Sequence, residues 1–204
     1  MKKLLVVTLA ALAASICAVQ AQQTLVTYTP DGVTTFDTAE QPGEVLDTTR
    51  FVVSYRMLYE RRPENEQPME DLLLLQVGHN VTKCYSYKTW QTDSLVRVTP
   101  PEQVMANLRS FHGGVQDILF RDQKAGRLTH TDQIGMDHLL YTEPLPDCGW
   151  KLADGERTIL GYACRRATCT FRGRNYEAWY APDIAVSVGP WKFGGLPGVI
   201  LAIR

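Results

Sequence analysis

The chain has 204 residues, 45% of them hydrophobic, with 21 Lys+Arg against 22 Asp+Glu, a formal charge of −1 and a pI of about 6.4. That composition suits one globular domain with a real core. It excludes the basic surplus of a nucleic-acid binder, and the chain shows no low-complexity tract and no repeat.

The first 21 residues read as a cleaved export signal: Lys2-Lys3, an apolar run from Leu4 to Ala14, and Val19-Gln20-Ala21 ahead of Gln22. The apolar run is too short to span a bilayer, and no later segment is long and apolar enough to do so. Lipidation at Cys17 is disfavoured by Ile16, which stands where a small residue is wanted. Removing Lys2 and Lys3 leaves 19 Lys+Arg against 22 Asp+Glu, a net of −3. The expectation is a periplasmic or secreted domain over residues 22–204, open to association with the outer membrane.

In chain order, Leu25–Tyr28 is a short strand and Asp31–Asp47 a turn-rich polar arm. Arg50–Tyr59 alternates, with Phe51, Val53, Tyr55 and Met57 on one face. Glu60–Glu70 is a charged loop. Leu72–Val77 and Val81–Tyr87 form a hairpin around Gly78-His79-Asn80. Thr99-Pro100-Pro101 opens a short helix on which Val104, Leu108 and Phe111 repeat, and Gly113-Gly114 ends it. Gln116–Arg121, a turn at Lys124-Ala125-Gly126, Arg127–Thr131 and Met136–Glu143 follow as strands. After Trp150 the pattern is strand, turn, strand, with a tight turn at Arg172-Gly173-Arg174-Asn175 pairing Phe171 with Tyr176, Cys169 with Ala178 and Ala167 with Tyr180. Many short strands separated by turn residues predict a mainly β fold: a curved antiparallel sheet or partly open barrel with one short helix.

The densest backbone constraint is Gly189-Pro190-Trp191-Lys192-Phe193-Gly194-Gly195-Leu196-Pro197-Gly198-Val199-Ile200-Leu201. Leu196 before proline is driven to extended backbone, Pro197 presets the second position of a tight turn, and Gly198 supplies the positive φ of type II. Val199–Ile203 then reads as a buried strand. Gly189-Pro190 makes a second turn, and Gly194-Gly195 admits close approach of another backbone or a ligand. A packed corner outweighs a ligand platform here, because Gly and Pro more often punctuate structure than bind.

This run resembles the signature of the GLPGLI family, exported proteins of the Bacteroidetes. Gly161-Tyr162-Ala163-Cys164-Arg165-Arg166-Ala167-Thr168 and Phe171-Arg172-Gly173-Arg174-Asn175-Tyr176-Glu177-Ala178-Trp179-Tyr180 are similar to two further family segments, and Leu73–Gly78 with Tyr85–Lys88 fits more loosely. Val199 replaces a leucine of the signature, and Arg166 stands where lysine is usual. The resemblance implies a C-terminus shortened at Arg204. It carries no agreed activity, cofactor or catalytic residue.

Cleavage after Ala21 leaves Cys84, Cys148, Cys164 and Cys169. Cys164 and Cys169 share a strand and stand roughly 16 Å apart, too far to bridge. A hairpin centred on Glu156 sets Cys148 opposite Cys164, the favoured disulfide, with Cys84–Cys169 as a second bridge. The alternative is buried free thiols acting as small hydrophobes.

No nucleophile elbow, phosphate loop, dinucleotide fingerprint or Cys-x-x-Cys pair is present, so no cofactor is expected. His130, Asp132, Asp137 and His138 are the densest ligand-type cluster. A solvated turn explains them better than a metal site, which needs three or four convergent ligands. Glu177, Asp183 and Glu143 are the candidates for a catalytic carboxylate pair. The aromatics of the last third lie among arginines, and Trp179, Arg166, Glu177 and Arg174 form the candidate ligand surface, against the plainer reading that the rings are core. The function expected is a non-catalytic envelope binding or assembly module whose partner is an outer-membrane or surface protein, a glycan or a peptide. A hydrolase or hydrolase accessory domain acting on glycans or peptides, and a metal-binding envelope module, are the alternatives.

Overall fold

The computed structural model describes residues 3–10, 23–29, 32–38, 45–60, 68–106, 114–134 and 137–204. Its elements are β1 (Lys3–Ala10), β2 (Gln23–Thr29), β3 (Gly32–Thr38), β4 (Phe51–Tyr59), β5 (Met69–Val77), β6 (Val81–Ser86), α1 (Tyr87–Val98), α2 (Pro101–Ala106), β7 (Ile118–Asp122), β8 (Arg127–Ile134), β9 (Asp137–Pro144), β10 (Lys151–Ile159), β11 (Tyr162–Phe171), β12 (Arg174–Ala181) and β13 (Val199–Ile203). Eleven strands form one open antiparallel sheet in the order β10-β11-β12-β13-β1-β4-β5-β6-β7-β8-β9, and β2 and β3 form a separate hairpin. The mainly β, curved antiparallel architecture follows from the alternating pattern. In β4, Val53, Tyr55 and Met57 point into the core as their period-two spacing requires.

The polar arm expected over Asp31–Asp47 is in part strand β3, and its last residue has a structural task. Asp47 accepts hydrogen bonds from the backbone N–H groups of Asn80 (2.7 Å) and Val81 (2.9 Å), so it caps the β5–β6 turn. Part of the expected leader, Lys3–Ala10, is strand β1, paired with β4 and touching β13 in register only at Leu4↔Ile203 and Leu5↔Ala202. The expected cleavage site after Ala21 and most of the Glu60–Glu70 loop lie outside the described residues.

Helix α2 starts at Pro101 as anticipated, while Leu108 and Phe111 lie outside the described residues. Helix α1 was not legible, because its Thr- and Ser-rich surface lacks an apolar stripe. It is set by its N-terminus: the Ser86 hydroxyl accepts from Thr89 N–H (3.0 Å) and donates to buried Asp71 (3.0 Å). The other oxygen of Asp71 accepts from Val115 N–H at 2.8 Å, so one carboxylate joins β5, α1 and the approach to β7.

Two hairpin registers differ from expectation for one reason, the two-residue turn. Leu160 (φ 52) and Gly161 (φ 83) are both left-handed, as are Arg172 (φ 50) and Gly173 (φ 76). Left-handed pairs of this kind match the right-handed twist of flanking strands. The second hairpin therefore pairs Phe171 with Arg174, Cys169 with Tyr176 and Ala167 with Ala178. This is two residues off the expected register, so every side chain keeps its face. In the first hairpin, Asp154-Gly155-Glu156 is a bulge inside β10 and not its turn, and Arg157, not Cys148, lies opposite Cys164. The expected Cys148–Cys164 disulfide is thereby corrected, and Cys84–Cys169 does not form either: all four thiols are free and buried. Cys148 and Cys169 share one core cluster, and Cys84 and Cys164 the other.

Strand β13 separates those clusters. All five of its residues are buried. Val199 and Leu201 pack into the cluster of Val53, Tyr55 and Leu75, while Ile200 and Ile203 pack into the cluster of Phe171, Tyr180 and Phe193. The expected type II turn before β13 is tighter. Gly198 N–H donates to Leu196 O (2.8 Å) across Pro197, and Val199 N–H goes instead to Ile184 O (3.1 Å). The buried Tyr55 hydroxyl donates to Ile200 O at 2.8 Å, tying β4 directly to β13.

Two substitutions separate these contributions. Tyr55→Phe removes only the hydroxyl and should lower stability to urea by about 1 kcal/mol. At Gly198, φ is +150° and an added Cβ would lie 2.2 Å from Ala181 O. Gly198→Ala should therefore cost more, about 2–4 kcal/mol. A Gly198→Ala protein as stable as Tyr55→Phe would contradict this account of the corner.

Candidate functional site

The corner ahead of β13 carries a backbone outlier. Phe193 N–H donates to Pro190 O (3.1 Å), closing a turn in which Trp191 sits at φ +54°. A bulky residue in the left-handed region is costly and persists only where its surroundings over-determine it. Here they do. Trp191 N–H donates to Cys84 Sγ (3.4 Å), and the next carbonyl, Lys192 O, accepts from the buried Arg121 guanidinium (2.7 Å). Phe193 is gripped by Tyr176 (4.7 Å between centroids), Trp191 (5.4 Å) and Phe171 (5.9 Å). Gly194 O accepts from the Trp150 indole at 2.8 Å.

Trp191 forms one wall of a cleft of about 150 Å³. Its floor is Met57, Leu73, Cys84 and Leu119, and its other aromatic walls include Tyr59, Tyr85 and Tyr176. Burial pushes the Cys84 thiol up to about 11, so it stays protonated and behaves as an apolar surface. The polar lining is confined to Asp117, Arg174 and Arg204.

Beside Asp117 lies a charged cluster anchored by the same loop. Lys192 is buried, and its Nζ lies 2.7 Å from Glu143 Oε1. Buried His130 stacks on Tyr141 (4.4 Å) and places Nε2 2.8 Å from the same oxygen, while Arg172 reaches Glu143 Oε2 at 2.9 Å. Burial alone would raise the Glu143 carboxyl. The Lys192 and His130 hydrogen bonds and the Lys192 and Arg172 charges outweigh it and hold the group at about 2. Burial lowers His130, with the Glu143 hydrogen bond opposing, so the imidazole is neutral at pH 7. Asp117 is raised by burial, then by the charge of and hydrogen bond to Asp132.

Asp117 and Asp132 form a carboxyl pair, and the sequence reading does not single out Asp117. The signal was there: Ile118 pairs with Thr131, so one further step of that register sets Asp117 opposite Asp132. Of the expected carboxylates, Glu143 and Glu177 belong to different clusters. His130 is engaged with Glu143, the side chains of Asp137 and His138 lie outside the described residues, and among the described residues no three His, Cys, Asp or Glu groups converge as for a metal.

The structure brings three of the four expected ligand residues together. Arg166 lies 2.8 Å from Glu177, the Trp179 indole donates to Glu177 at 3.3 Å, and Arg157 stacks over the Trp179 ring at 5.8 Å. Gly155 of the β10 bulge approaches the ring edge closely. Arg174 is not among them. Strand alternation sends it to the opposite face of β12, with Tyr176, into the cleft.

A model of a family described as a protein of unknown function (Porph_ging) matches residues 172–202. No curated protein matches the chain. Among solved structures, two of PNGF-II, in the C2 and P21 space groups, are similar, each at 14% identity with TM-scores of 0.47 and 0.49. They cover 74% and 75% of this chain and 26% and 25% of their own, so the chain spans about a quarter of the length of the structures it matches. Among the described residues no helix is long and apolar enough to cross a membrane.

The charged cluster predicts a pH profile. Glu143 is depressed from its ordinary 4.5 to about 2, so its stabilisation is complete above pH 4.5 and is lost as the pH falls towards 2. His130 acts in the same sense from pH 6.5 downward, and Asp117, being raised, acts in the opposite sense. Glu143→Gln should therefore be less stable than wild type at pH 7, with the gap closing between pH 4.5 and 2. Urea midpoints across that range check this, and a gap independent of pH would refute it.

Proposed function

We propose that the protein is an exported binding module of the cell envelope, acting without catalysis, and that its ligand enters the cleft beside Trp191. One observation carries the reading: an aromatic side chain is held in a strained backbone conformation against an apolar cleft whose polar lining is limited to Asp117, Arg174 and Arg204. Concave apolar sites with a small number of placed polar groups are the usual form of a ligand pocket. The export reading rests on the leader pattern of residues 1–21, and the envelope reading on the resemblance of Gly189–Leu201 to the GLPGLI signature, which lies within the matched stretch 172–202. The partners in view remain an outer-membrane or surface protein, a glycan or a peptide.

A hydrolase is the second reading. It is favoured by the Asp117–Asp132 pair, in which burial and the neighbouring Asp132 raise the Asp117 carboxyl beside the cleft, the direction a general acid needs. The Arg166–Glu177–Trp179 face offers less, since its carboxylate is occupied by Arg166 and by Arg204 (2.9 Å).

The test is capture from envelope extracts on the immobilised chain, comparing wild type with Trp191→Ala and Trp179→Ala, each checked for a folded circular dichroism spectrum. A ligand retained by wild type and Trp179→Ala and lost by Trp191→Ala is the expected result. Retention by folded Trp191→Ala, with loss in Trp179→Ala, would move the site to the opposite face of the sheet. Turnover of a captured glycan or peptide that disappears in Asp117→Asn would establish the hydrolase reading instead.

A further inference from the structure

The ligand of this cleft can be narrowed by size, charge and hydrogen-bonding pattern. A volume of about 150 Å³ is that of an apolar cavity that accommodates one benzene ring. A long acyl chain does not fit it. The walls are themselves rings, Tyr59, Tyr85, Tyr176 and Trp191, and aromatic neighbours favour an aromatic guest in tilted or offset contact.

One charged group of the cleft lining has no ion-pair partner among the described residues. Glu143 is taken by Lys192, His130 and Arg172, and Glu177 by Arg166 and Arg204. Arg174 lines the cleft and makes no ion pair among the described residues. Its backbone is fixed: it is the first residue of β12, directly after the left-handed pair Arg172-Gly173, and pairs with Phe171. An exposed guanidinium that lines an apolar site and is paired with no carboxylate among the described residues can take an anion from outside, and a carboxylate matches its fork. The remaining polar group is the half-buried carboxyl of Asp117, a hydrogen-bond partner for an amide.

We propose that the cleft reads the C-terminal residue of a peptide when that residue is aromatic: the ring packs against Trp191, the terminal carboxylate pairs with Arg174 and the last amide N–H donates to Asp117. A chain end is the one place in a peptide where ring, carboxylate and N–H converge on a single carbon. A free aryl acid supplies the first two and offers Asp117 no N–H. This rests on the binding reading given above.

The experiment is isothermal titration calorimetry of the full chain with four probes: acetyl-Gly-Gly-Phe, its C-terminal amide, acetyl-Gly-Gly-Ala and 3-phenylpropionate. Arg174 is exposed, and methionine keeps an unbranched stem without the charge, so Arg174→Met is the variant. The Phe acid should bind best, with the amide about tenfold weaker and Arg174→Met lowering the acid to the level of the amide while leaving the amide unchanged. The Ala peptide should give no heat, and 3-phenylpropionate should bind more weakly than the Phe acid. Equal binding of acid and amide to wild type would overturn carboxylate recognition while leaving the cleft a binding site. Equal binding of 3-phenylpropionate and the Phe peptide would overturn the peptide reading in favour of small aryl acids. No binding of any probe at millimolar concentration would overturn the proposal, and capture from extracts would still decide whether the cleft binds something else.

Discussion

The fold turns on the burial of β13 along both of its faces. A strand with Val199, Ile200, Leu201, Ala202 and Ile203 all inside has no wet side, so every backbone group must find a partner in the protein. β12 supplies one edge. On the other, β1 pairs at Ala202 and Ile203, while Ile184 O and Val188 O accept from Val199 and Ile200 N–H, and the Tyr55 hydroxyl donates to Ile200 O. This requirement folds residues 182–198 back over the sheet. The path of that segment, and hence the position of Trp191, follows from the hydrogen bonds that β13 needs.

The same segment explains how an open sheet encloses a cleft. β9 and β10 are its two edges and do not pair. Glu143 on β9 instead reaches across to Lys192 in the corner and to Arg172 at the β11–β12 turn. Exposed ion pairs are weak ties. Lys192, however, is buried, and a buried ammonium without its carboxylate is strongly unfavourable. The pair therefore constrains geometry more than it adds stability: the corner cannot move away from β9 without stranding a charge.

Much of this was legible in the sequence, and the failures have distinct physical causes. Alternation exposed β4 and the β5–β6 hairpin, and the Gly/Pro spacing gave away the corner. The faces of β11 and β12 were also correct, because a register error of two leaves faces intact. What was lost concerned turns and caps. Leu160 in a left-handed turn is not a residue that propensity would choose, so the sequence pattern centres the hairpin on Glu156 and misplaces the cysteines. Helix α1 depends on Ser86 and Asp71, fifteen residues apart, and not on any stripe of its own. The Asp117–Asp132 pair exists only as a register, visible once Ile118 is set against Thr131. The candidate surface was split because Arg174 and Glu177 lie an odd number of residues apart on one strand, a parity that the sequence already contained.

Trp191 is the place where local preference and the observed structure disagree most. Backbone chemistry alone would put glycine at a position with φ of +54°, since the left-handed conformation costs any larger residue about 1–2 kcal/mol. The surrounding segment uses glycine freely, at 189, 194, 195 and 198. An indole at 191 is thus not required to make the turn. Nor does it carry the burden of filling the core, because Phe193, two residues on, is the buried ring of the corner while Trp191 stays half-exposed. Beside its contacts with Phe171 and Phe193, the ring presents a surface, and that surface is a wall of the cleft.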